Sequence, residues 1–218
     1  MSKTSDGLQT SVTPGIQNEL VQDYSVLTGH VSLQVIQMLN LQDLETSQFV
    51  ERLERQHQDL VVAKSASVDA QPDELLRVAR QHYKLEATKK AIMTFESSAS
   101  ILAGSILQIV QQGMSRVHSS IRTYPHKGRT IHGVSLCDLV WQGRNQAMHY
   151  ETTAKRADWS AVFATLNVAM PSAFSIAPPY VSRAKSIFDL LGWGSYSVYE
   201  RDVKFLLLGC RDSEEQPQ

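Results

Sequence analysis

The chain has 218 residues and a mass of 24.4 kDa, with 42% hydrophobic and 20% charged residues. That suits one generous domain or one domain with an appended region, and it excludes collagen-like, low-complexity and wholly disordered classes. The net charge of −1 hides an asymmetry, because residues 1–70 carry 4 Lys and Arg against 9 Asp and Glu while residues 71–218 carry 17 against 13.

The first 15 residues are rich in Ser and Thr and include Pro14 and Gly15, which marks a frayed end. From Ile16 to about Lys64 apolar residues recur at threes and fours, as in Leu20, Tyr24, Leu27, Val31 and Val35. The spacing predicts two or three amphipathic helices, with Gly29 a point where the first breaks or bends. A boundary is expected near residue 70, because Ser65 to Gln71 is small and polar and Pro72 followed by Asp73 and Glu74 is a helix start. From Pro72 a helical pattern, one helix or two, continues to His118.

Between Glu96 and Asp138 there is no acidic residue, and Arg116, Arg122, Lys127 and Arg129 fall there with His118, His126 and His132. Such a stretch suits either a polyanionic partner or an ordinary solvated surface. Tyr124 to Gly133 reads as a basic loop, and helices are expected from Ser135 to about Tyr150, from Ala157 to Met170 and from Tyr180 to Leu191. Ser195 to Leu208 fits strand or helix equally. The fold class is therefore all-α, with room for a small β element at the end. The domains expected are an N-terminal helical region over 1–70, a helical domain over 71–211 and a polar tail over 212–218.

No run approaches the roughly 20 apolar residues of a membrane helix, and residues 1–10 lack the apolar core of a signal segment. A cytoplasmic protein with no membrane partner is expected. Cys137 and Cys210 stand 73 positions apart and form neither a disulfide framework nor a zinc pattern. A metal site from His126, His132 and Cys137 has poor ligand spacing, and no metal or cofactor is expected.

The chemistry concentrates in Leu136 to Glu151. On a helix, Leu136, Leu139, Val140, Gly143, Ala147 and Tyr150 lie along one side, and Asp138, Gln142, Asn145 and His149 run along another. One side is built to pack and the other to interact. Gly143 and Ala147 would let a neighbouring helix approach closely. Arg144 is the only formal charge between Asp138 and Glu151, an arrangement that suits a cleft or subunit contact better than an open helix face. An Arg and a His held there can bind a phosphate and move a proton.

Arg144-Asn145-Gln146-Ala147-Met148-His149 resembles the Arg-Asn-x-x-x-His signature of HEPN domains, small helical domains many of which are ribonucleases. Chance gives roughly 0.4 looser Arg-x4-His matches in such a composition, and the chain holds three, the others being Arg52 to His57 and Arg77 to His82 in highly charged stretches. Requiring Asn after Arg leaves Arg144 alone. The resemblance covers this helix and its helical context from Pro72 to Leu191. It implies a HEPN-like helical bundle with an additional N-terminal helical region.

The resemblance further implies Arg144, Asn145 and His149 as catalytic residues of a metal-independent endoribonuclease, a bacterial toxin or anti-phage defence effector. The RNA 2′-hydroxyl attacks the adjacent phosphate, His149 moves the proton, and Arg144 offers a planar fork to the phosphate oxygens. Positions five apart lie about 140° round a helix, so the Arg must curl towards the His. HEPN domains resolve this by pairing two copies across a composite cleft, so a homodimer is expected, with RNA as substrate and an antitoxin or regulatory protein as a further partner.

Glu96, Gln142 and Asp138 are supporting candidates, and Arg122, Lys127 and Arg129 are candidates to hold an RNA backbone. Trp141 fits core packing or stacking on a base. Tyr150 directly follows His149 and Glu151 stands next, which departs from the HEPN toxins whose modified Tyr lies two positions after the His. The alternatives are a HEPN-like module that binds RNA or nucleotide without cutting, and a helical scaffold whose acidic first 70 residues dock a partner protein.

Overall fold

The structure, a computed structural model, describes residues 14–65, 72–118, 124, 126–151, 156–175, 177–178 and 180–209. They form helices α1 (Pro14–Ser65), α2 (Pro72–Val117), α3 (Leu136–His149), α4 (Arg156–Ala169), α5 (Pro171–Phe174), α6 (Ala184–Leu190) and α7 (Tyr196–Leu208). A two-residue hairpin, β1 (Thr130–Ile131) and β2 (Val134–Ser135), precedes α3. The all-α expectation holds at this level.

α1 and α2 dominate the shape. At 1.5 Å per residue, their 52 and 46 residues extend about 78 and about 69 Å. They run antiparallel. The Tyr24 hydroxyl donates to the Ile109 carbonyl, the Gln42 amide to Ser98 Oγ at 2.8 Å, and the Phe49 and Phe95 rings lie 5.4 Å apart. Gly113 is needed where Tyr24 crosses, since a Cβ there would meet the ring at 2.5 Å. The division expected near residue 70 coincides with the break between the two helices, and both contribute to one core: Val21, Tyr24, Ile36 and Leu39 of α1 with Ala103, Ile106, Leu107, Val110 and Met114 of α2.

The rest of the fold closes over the α1 N-terminal half and the α2 C-terminal half. Trp159, Phe163 and Leu166 of α4, Phe174 of α5, Ile187 and Phe188 of α6, and Leu206 and Leu207 of α7 are all buried in that core. α7 begins beside α1, where Tyr199 shares a 2.9 Å hydrogen bond with Ser32, and it ends at Gly209 in the left-handed conformation. Beneath it a buried carboxylate ties three elements: Asp202 accepts from Arg129 at 2.7 Å and from the Trp193 indole at 2.9 Å.

Three expectations are corrected. The two or three N-terminal helices are one continuous helix, and Gly29 does not break it. The ambiguous tail is helical, because Tyr199, Asp202, Val203, Leu206 and Leu207 form a buried stripe at helical spacing, and the small β element stands at 130–135 instead. The helix expected from Tyr180 starts only at Ala184. α2 also contains an 18-residue stretch of mean hydropathy 1.3, long and apolar enough by length and composition to cross a membrane, with 28% of it buried within the chain.

Candidate functional site

α3 starts on a side-chain N-cap, Ser135. Ser135 Oγ accepts from the Asp138 N–H at 3.2 Å and donates to its carboxylate at 2.6 Å. The next free N–H groups bond back to the basic loop, Leu136 to the Arg129 carbonyl at 2.8 Å and Cys137 to that of Lys127 at 3.0 Å. Asp138 is thus committed to the helix start, about 16 Å along the axis from His149. It is not brought to the Arg-His pair.

The packing side of α3 is as the spacing predicts: Leu136, Leu139, Val140 and Gly143 are buried. The Gly143 and Ala147 seam receives helices of the same chain. A Cβ on Gly143 would lie 3.2 Å from Ile187 of α6 and 3.4 Å from Leu107 of α2, and Ala147 faces Gly104 of α2. The seam is therefore spent inside the molecule and lends no support to pairing of two copies.

Arg144 is half-buried on the flank facing α2. Its Nε donates to Gln108 Oε1 at 2.5 Å and its Nη1 to Asn145 Oδ1 at 3.2 Å. The Asn145 amide donates in turn to Gln142 Oε1 at 3.3 Å, and Gln108 donates to Gln111 Oε1 at 3.4 Å. Every member of this row except Arg144 is a neutral amide. Among the described residues no carboxylate pairs with Arg144, so its charge is positioned without being neutralised. His149 closes the last turn of α3 and is also half-buried.

A groove of about 1220 Å³ is lined by Asp43 and Thr46 of α1, by α2 from Met93 to Ile109, by Ala147 and Met148 of α3 with Tyr150 and Glu151 just after it, and by the segment Tyr180 to Ser186; Arg144, Asn145 and His149 are not among its lining residues. Gln108 belongs to both the groove and the Arg144 row. Exposed Glu96 lines the same groove, about 18 Å along α2 from Gln108. Tyr150 is in its wall, its proton held above the ordinary range first by the hydrogen bond to Glu151 and then by burial.

The basic loop does not act as one surface. Arg129 is consumed by Asp202 and by the Leu191 carbonyl at 2.5 Å, a structural clamp in place of the expected nucleic-acid contact. Lys127 is exposed, 3.9 Å from Asp138. Arg122 lies outside the described residues, as does Cys210. His118 and His126 stack edge to face with ring centroids 5.6 Å apart, and His118 Nε2 lies 3.0 Å from the Leu207 carbonyl. Cys137 is buried, which pushes its thiol up to about 11. Among the described residues no three His, Cys, Asp or Glu side chains are grouped as metal ligands would be. Trp141 is half-buried and stands outside the main core cluster.

Two residues of the region carry no motif signal. Gln146, 3% exposed, accepts from the Arg183 N–H and donates to the Val181 carbonyl, both at 2.8 Å, and so locks α3 to the chain entering α6. Gln108 positions Arg144. Its one sequence signal is a lone amide inside the apolar run Ile106-Leu107-Gln108-Ile109-Val110.

Comparison of the chain with protein-family models, curated proteins and solved structures gives no match.

Proposed function

We propose that the chain is a metal-independent endoribonuclease of HEPN type, with Arg144 and His149 as the catalytic pair and Asn145 and Gln108 positioning the guanidinium. The observation that carries this reading is the guanidinium of Arg144, which comes from the helix that bears His149, is held by the neutral amides of Gln108 on α2 and Asn145 on α3, and has no carboxylate partner among the described residues. A cation so held favours a phosphate and the dianionic phosphorane that follows.

In the reaction the 2′-oxygen forms a bond to phosphorus and the bond from phosphorus to the 5′-oxygen breaks. One proton leaves the 2′-hydroxyl and one reaches the departing 5′-oxygen. His149 serves one of these transfers, and Arg144 takes the non-bridging oxygens. The second copy of the pair comes from a second chain in a homodimer, as the Arg-Asn-x-x-x-His resemblance implies, and the setting is a bacterial toxin or defence effector restrained by a regulatory protein.

The test is incubation of the full chain with total RNA in excess EDTA beside His149→Ala and Arg144→Ala, with the product ends analysed. Wild type should cut to 2′,3′-cyclic phosphate and 5′-hydroxyl ends, and either substitution should slow cutting by about 100-fold or more. Equal cutting by His149→Ala overturns the mechanism. RNA binding without cutting by wild type favours the non-catalytic module instead.

A further inference from the structure

α1 has two apolar faces. One is buried through Val21, Tyr24, Ile36 and Leu39. The other carries Leu27, Val31, Met38 and Leu41, which are 69%, 49%, 51% and 61% exposed. With exposed Gln34 between them, these positions are spaced four, three, four and three, the a/d seam of a coiled coil, over about 21 Å of helix. Apolar residues held in one register along a helix face, here interrupted by the single amide of Gln34, make a docking feature, unlike scattered single residues.

The charge around the stripe selects its occupant. From residue 14 to residue 51 there are five acidic residues and no Lys or Arg. Asp43 is paired with Lys185 at 2.9 Å. Glu19, Asp23, Glu45 and Glu51 make no ion pair among the described residues. Asp23 and Glu45 lie on the stripe's own side of α1, one beyond each end. Pairing with a second copy is disfavoured in both directions. A parallel pair sets each acid against itself, and an antiparallel pair centred on Gln34 sets Asp23 against Glu45. An anionic lipid surface meets the same repulsion.

We propose that this face of α1 binds a basic amphipathic helix of a partner protein, with the partner's apolar residues on Leu27, Val31, Met38 and Leu41 and its Lys and Arg beside Asp23 and Glu45. The site is independent of Arg144 and His149.

The test uses the full chain and a synthetic 21-residue helix-forming peptide with Leu at heptad a and d and Lys at e and g. Three controls accompany it: the same peptide with Glu for Lys, the same with Ser for Leu, and the Met38→Glu/Leu41→Glu variant, whose positions are solvent-exposed. The basic peptide should bind with a Kd below about 100 µM. Affinity should fall at least about tenfold in the variant and at least about tenfold between about 50 and about 500 mM salt. Both control peptides should fail to bind. The proposal is overturned if the basic peptide does not bind, if the variant binds it equally, or if the Ser peptide binds as well. It is also overturned if wild type dimerises in sedimentation and Met38→Glu/Leu41→Glu abolishes the dimer, which would assign the face to a second copy.

Discussion

Near Tyr24 and Gly113 the α1/α2 hairpin forms one wall of a core completed by α3, α4, α6 and α7. Near Leu60 and Leu85, among the described residues, the same two helices lie outside that core cluster and pack on each other. The distal seam rests on Leu60, Ala63, Leu85 and Thr88 and on the Phe49 and Phe95 rings. It also encloses the amide oxygens of Gln56 and Gln81, which find no hydrogen-bond partner among the described residues. Val61, Val62, Leu75, Leu76 and Tyr83 stand exposed around it. One pair of continuous helices therefore spans two regimes: a proximal half held by long-range packing and a distal half held by helix continuity and one thin seam.

The sharpest way to break this contrast is to damage the proximal half where a charge is buried. Asp202→Ala removes the acceptor of Arg129 and Trp193 and should cost about 3–5 kcal/mol, measured as a lower urea midpoint for the whole molecule. A single distal substitution should behave differently. Leu85→Ala should cost about 2–3 kcal/mol, with hydrogen exchange quickening over the distal parts of α1 and α2 and unchanged near Ile106. If both variants accelerate exchange everywhere alike, the hairpin is a single cooperative unit and the contrast fails.

The smallest effect is one of pH and belongs to the proximal end. The His126 ring lies against Gly209 and between the rings of His118 and Phe205, and burial, then the His118 charge, lowers its affinity for a proton. The folded state therefore favours neutral His126. Its contribution to stability is complete above about pH 6.5 and is lost as the pH falls below that value. Acidification from about pH 7.5 to about pH 5.5 should lower the unfolding midpoint of wild type more than that of His126→Gln, with distal exchange unaffected.

The start of α2 was legible because Pro72, Asp73 and Glu74 are local signals, and the packing side of α3 because its spacing is local too. The unbroken length of α1 was not, since Gly29 looks like a breaker until Tyr196 is seen beside it, its hydroxyl 3.3 Å from where a Cβ would stand. The segment Val181 to Arg183 looked helical, yet its backbone is taken by Gln146. Arg129 resembled its basic neighbours because the residue that claims it, Asp202, is 73 positions away. In the candidate site the Arg, Asn and His stood out as a motif on one helix. Gln108 did not, because its role depends on α2 lying against α3.

The hydrogen bond between Ser32 and Tyr199 joins residues 167 positions apart. α1 is synthesised long before α7, so during translation its inner apolar face must wait, helical or not, until nearly all of the described chain has emerged. Local pairing with α2 can begin earlier from the distal end, and closure against α7 comes last. A ribosome-bound intermediate of this protein would thus be a hairpin open at its base.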